Sequence, residues 1–145
     1  MRRPGDSRPQ RRSSRDRRGR GVRGMLAAPA VPLTRTRAER FDDLVLDAVE
    51  ELERHWSSDI AGIEFAVEDV PPADPRAEFD PGVVMDRGVL LGRLFREGVP
   101  GMEGPVIVLY RRPVEARTSA TEDRGEVVFA LVAELAAEYL GRDLP

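Results

Sequence analysis

The stretch VVFALVAELAAEYLG, residues 127–141, decides how the rest of the chain is read. Stepped at 100° per residue, Val128, Leu131, Val132, Leu135 and Tyr139 fall on one side, which predicts an amphipathic helix packed on a sheet through that side. Gly141 is the natural residue just past its end, because a left-handed closing turn favours glycine. Ser119, with Glu122 three residues on, predicts a capping box at its start. Gly125 softens that start, since glycine costs a helix about 1 kcal/mol relative to alanine. Glu134 and Glu138 sit one turn apart at the border of the apolar side. One turn is the spacing at which a helix offers two ligands to one metal. It is also the spacing of an ordinary wet helix edge, and both readings are open.

Working outward, PVIVLY (residues 105–110) is the most apolar run and predicts the most buried strand. VLLGRLF (89–95) predicts a second strand, with Gly92 inside it. GIEFAVEDV (62–70) alternates Ile63, Phe65 and Val67 with polar neighbours, the pattern of a half-buried strand. RAERFDDLVLDAVEELERHW (37–56) places Phe41, Leu44, Val45, Ala48, Val49, Leu52 and Trp56 at helical spacings, an amphipathic helix of about five turns. PPADPRAEFDPGVVMDR (71–87), with four prolines and many acids, reads as a loop. RRPVEARTSATEDR (111–124) reads as a lead-in to the last helix. The order helix, three strands, helix is an α+β layout, with a small mixed sheet of three strands or slightly more covered by its helices.

A length of 145 residues makes one domain the default. There is no cysteine, so disulfides, cysteine zinc sites and thiol nucleophiles are excluded. No apolar run approaches the ~20 residues of a membrane-spanning helix, and the start lacks the apolar core of a secretory signal, so a cytoplasmic location is expected. There is no lysine, and the Arg-, Ala- and Gly-rich usage is associated with GC-rich genomes. Residues 1–24 carry ten arginines against Asp6 and Asp16, a charge of +8; residues 25–145 carry -11. The arm, residues 1–35, has too little to bury to offset its ordering entropy and is expected to be disordered, with the domain spanning 36–145. Residues 1–24 could touch nucleic acid or an anionic surface; the plain alternative is a solvated tail, with Met25 as another possible start of translation.

Four segments agree in order with a known family: the opening helix RFDDLVLDAVEELE, LLGRLFREGVP, PVIVLYRRPVEA, and a terminal helix ending in glycine. Over roughly residues 38–143 the chain resembles the minimal zincin-like metallopeptidases of bacteria, and its arginine-rich start resembles their actinobacterial branch. The resemblance implies a helix, a short sheet and a C-terminal helix carrying HExxHxxG. In such a motif two histidines bind zinc from one helix face, and the glutamate is general base for the zinc-bound water. Setting the family glycine on Gly141 puts the two histidines on Glu134 and Glu138 and the base on Leu135. The further acidic ligand falls on Leu144, with Asp143 one residue out of register. Leu135 can take no proton from water.

The resemblance therefore implies a zincin-like pseudoenzyme without zinc, catalytic residue or peptidase activity, binding a peptide or protein partner in the former cleft. An exposed sheet edge could accept an extended strand there. The rival is an active metal-dependent hydrolase. Glu134, Glu138 and Asp143 would be its candidate ligands, suited to Mg, Ca or Mn, which want about six oxygens. A third reading is nucleic-acid association through the basic arm. The single histidine, His55, reads as a solvated residue of the first helix. No phosphate-binding glycine loop follows a strand, no Ser/His/acid set is available, and nothing indicates a sugar cleft. YRRP (110–113) is a small-anion or partner site, or else an exposed strand end.

Overall fold

A computed structural model describes residues 35–119 and 121–144, less the side chains of Thr121 and Glu122. The expected arm, Arg35 apart, lies outside the described residues. So does the capping box expected from Ser119 and Glu122.

The first helix, α1 (Arg37–Trp56), begins where Thr36 closes a reciprocal cap: the Glu39 amide donates to Oγ1 of Thr36, and the Thr36 amide donates to Glu39 Oε1, both at 3.0 Å. Its apolar stripe, from Phe41 to Trp56, is buried apart from Leu44, which is partly so. A 3₁₀ turn (Ser57–Ile60) leads to β1 (Glu64–Glu68). Then come β2 (Val83–Asp86), β3 (Val89–Phe95), β4 (Val106–Tyr110), a short helix α2 (Arg111–Ala116) and the final helix α3 (Thr121–Leu140). The fold is α+β, with one mixed sheet in the order β1-β4-β3-β2. β4 runs parallel to β1 and antiparallel to β3, and β2 completes a hairpin with β3.

β4 is buried at every position, as its apolar run predicts, because it is flanked by strands and covered on both faces. Phe65, Val67, Ile107 and Leu109 join the core that the sheet shares with α1 and α3. Ala66, Val106, Val108 and Tyr110 face the other way, where Ala77 and Met102 cover them from loops. The β2–β3 register slips between Val84 and Met85, since Val84 pairs with Gly92 and Met85 with Leu90, leaving Leu91 as the extra residue of a bulge. The bulge resets the alternation of β3, so Leu91 and Leu94, three residues apart, both join the helix side, while Leu90 lies on the other.

Two segments differ from their expected forms. Residues 71–87 are not simply a loop. They contain a 3₁₀ turn (Ala77–Phe79) and β2. Ala77 is fully buried, and Arg93 of β3 donates to Asp74 at 2.6 Å and Asp80 at 3.2 Å, anchoring the segment to the sheet. The hydrogen bond from Arg93 holds the Asp74 carboxyl below its ordinary range. Residues 111–116 are helix rather than lead-in, and the YRRP segment is not an exposed strand end. Pro113 is tolerated because it stands in the first turn, where its missing N–H has no partner to lose. Arg111 is buried and donates to Asp69 at 3.0 Å and to Glu115 at 3.1 Å. Among the described residues no helix is long and apolar enough to cross a membrane.

Candidate functional site: a groove at the end of the last helix

On α3, Val128, Leu131, Val132 and Leu135 are buried and Tyr139 is partly buried, as the helical angles require. Ala133, Ala136 and Ala137 are buried as well, so the covered arc is wider than one stripe. The added arc lies toward α1, where a side chain built on Gly125 would meet Leu44 at 3.7 Å. What is left for solvent is a narrow strip that includes Glu134.

Gly141 takes the left-handed conformation, φ 67°, and its amide and that of Arg142 both donate to the Ala137 carbonyl, at 2.8 and 3.2 Å. The chain then turns back. The Arg142 guanidinium pairs with Asp59 at 2.9 Å and lies 5.6 Å from the Trp56 ring centre, fastening the turn to the end of α1. Asp143 and Leu144 are thereby brought beside Glu134 and Glu138. Together with Ala137, Gly141 and Arg142 these residues line a groove of about 420 Å³.

The groove gathers the three candidate ligands Glu134, Glu138 and Asp143, but not in equal states. Glu138 is engaged: Arg96, just past β3, donates to its Oε2 at 3.0 Å and to its backbone carbonyl at 3.1 Å. Glu134 and Asp143 have no ion-pair partner among the described residues. Among those residues, no three His, Asp or Glu side chains come together as a metal-binding group. His55 is half-exposed on α1, 3.9 Å from Glu51, and does not line the groove.

Leu135 lies elsewhere. It is 1% exposed, and its Cδ1 stands 3.0 Å from where a Cβ on Gly92 would be. Glycine in β3 is what lets α3 approach this closely. The position that the resemblance assigns to the general base therefore belongs to the hydrophobic core. The set Glu134, Leu135 and Glu138 does not fit zinc, since it offers two carboxylates and no imidazole where zinc takes three or four side-chain ligands.

Two features had no single sequence signal. The Arg96–Glu138 pair joins residues 42 positions apart. A second concavity of about 600 Å³ is lined by Arg37, Arg40, Arg112, Glu115, Ala116 and Arg124. Of these residues only Arg112 lies within the YRRP segment, whose sequence suggests an anion or partner site. No protein-family model matches the chain, and no curated protein does either.

Proposed function

We propose that this is a zincin-like domain of metallopeptidase descent that has lost zinc and peptidase chemistry, and that it works as a non-catalytic binding domain through the groove at the end of α3. The observation that carries this reading is the burial of Leu135 against Gly92. A carboxylate there would sit in the core, away from any bound peptide. The engagement of Glu138 by Arg96 adds to it. Glu134 and Asp143 give the groove spare negative charge, so it suits a basic, extended peptide segment. A cytoplasmic setting accords with the cysteine-free composition and belongs to the same proposal.

The test is elemental analysis of the purified protein after dialysis against trace zinc, manganese and calcium, together with anisotropy of a labelled arginine-rich peptide. The expected result is no stoichiometric metal, with peptide binding that weakens about tenfold on Glu134→Arg, a loss of about 1.4 kcal/mol. A second reading, a metal-dependent hydrolase with a carboxylate site, is favoured by the presence of Glu134, Glu138 and Asp143 in one groove. Stoichiometric metal abolished by Glu134→Ala with Glu138→Ala would establish that reading and overturn the first.

A further inference from the structure

The domain has an excess of acids, and most of its arginines are neutralised. Arg35, Arg54, Arg93, Arg96, Arg111, Arg117 and Arg142 each reach a carboxylate. Among the described residues, the arginines that do not are Arg37, Arg40, Arg112 and Arg124, together with Arg76 and Arg87. The first four line the 600 Å³ concavity. In a chain segment of charge -11, four cations without carboxylate partners among the described residues meet at one place. They come from three helices: Arg37 and Arg40 from α1, Arg112 from α2, Arg124 from α3. The one acid among the described lining residues, Glu115, is already bound to Arg111 at 3.1 Å.

The positions of these arginines sharpen the point. Arg37 and Arg40 stand in the first turn of α1, and Arg124 in the first turn of α3. A helix start carries partial positive charge, so a cation there is unfavourable unless an anion joins it. Local hydrogen bonds account for only part of their donors. Arg40 donates to the Arg35 carbonyl at 2.7 Å, and Arg124 donates to Oγ1 and the carbonyl of Thr118 at 2.9 and 2.8 Å. A guanidinium has five N–H donors in a planar fork that matches phosphate oxygens.

We propose that this concavity is a binding site for a small, multiply charged phosphate anion of the pyrophosphate class. Its volume lies in the range of small-molecule sites. No aromatic side chain is among the described residues that line it, so these offer no platform for stacking nucleobases, which argues against single-stranded nucleic acid as the occupant. The site is separate from the groove at the other end of α3 and does not depend on how that groove is read.

The test is a calorimetric titration of the full-length chain with inorganic pyrophosphate at about 0.15 M salt, where long-range attraction by exposed charge is screened. The expected result is saturable binding that weakens about tenfold or more in the Arg37→Ala/Arg112→Ala variant. Both side chains are exposed and lack carboxylate partners among the described residues, so the variant keeps the wild-type circular dichroism and melting temperature. The Arg76→Ala/Arg87→Ala variant makes the same charge change elsewhere and keeps wild-type affinity. Absence of saturable binding overturns the proposal. So does binding unchanged by Arg37→Ala/Arg112→Ala, which would assign it to the N-terminal arginines. An equal loss in both variants reduces the effect to net charge and overturns it too. An oligonucleotide that binds through Arg37 and Arg112 where pyrophosphate does not replaces the small anion with a nucleic-acid backbone.

Discussion

At its C-terminal end α3 presents Glu134 and Glu138 beside Asp143; in its first turn it presents Arg124 beside Arg37, Arg40 and Arg112. Both arrangements run against the helix dipole, which favours acids at the start and bases at the end. They differ in how the charge is balanced. At the acidic end Arg96 holds Glu138, and Arg142 ties the turn to Asp59, so the groove is framed by side chains already in pairs. At the basic end the one carboxylate among the described lining residues, Glu115, is held by Arg111. The comparison teaches that a like-charge cluster is informative in proportion to what fails to neutralise it. The acidic end is a shaped surface with some spare charge, whereas the basic end is a set of guanidiniums with no carboxylate partner among the described residues.

The largest expected effect breaks the acidic end. Leu135→Glu restores the acid that the resemblance expects, but inside the core. It should cost about 3–5 kcal/mol, the range for an uncompensated buried charge, in urea denaturation, and it should produce no peptidase activity. A stable variant would mean that α3 can turn Leu135 toward the groove. Next, Gly92→Val pushes on Leu135 from the sheet side, where a bare Cβ would already stand 3.0 Å from Leu135 and 3.1 Å from Leu109. A loss of about 1–3 kcal/mol is expected by the same measurement.

At the basic end, Thr36→Ala removes one half of the cap that fixes the first turn of α1, and with it the placement of Arg37 and Arg40. About 1 kcal/mol of stability should be lost, and faster amide exchange at residues 37–40 should accompany it. A smaller effect is expected from Arg142→Ala, which frees the turn after α3 from Asp59 and Trp56. About 0.5–1 kcal/mol is appropriate to an exposed cation–π contact, and a change in Trp56 fluorescence would report it.

Smallest at neutral pH is Tyr110→Phe, which concerns the strand end leading into α2. Burial pushes the Tyr110 phenol up from 10.0 to about 12, with the nearby Glu68 charge contributing. The folded state therefore keeps this proton where the unfolded chain has lost it. The associated stability is fully present below pH 10.0 and is lost as pH rises toward about 12. Denaturation midpoints should fall across that window in the wild type and fall less in the variant.

Much of the fold was legible because it rests on local periodicity. The stripe of α1, the apolar run of β4 and the stop at Gly141 are written in neighbouring residues. β2 was not legible, since Val83–Asp86 is too short to have a period of its own and is defined by its pairing with β3. Nor was α2, because Pro113 reads as a breaker until its place in a first turn is known. In the groove, the one-turn spacing of Glu134 and Glu138 was visible. Their unequal state was not, since it depends on Arg96 at the end of β3.

By itself the sequence determined the two long helices, an α+β layout, the absence of an HExxH motif, and the opposition between a basic arm and an acidic domain. These follow from residue identity and from spacings within a few turns. Tertiary structure alone decided that Leu135 packs against Gly92, that the proline-rich segment is held down by Arg93, and that four arginines without carboxylate partners among the described residues meet where α1, α2 and α3 begin. Burial and charge pairing are properties of what lies across the fold, and the partners concerned are tens of residues away along the chain.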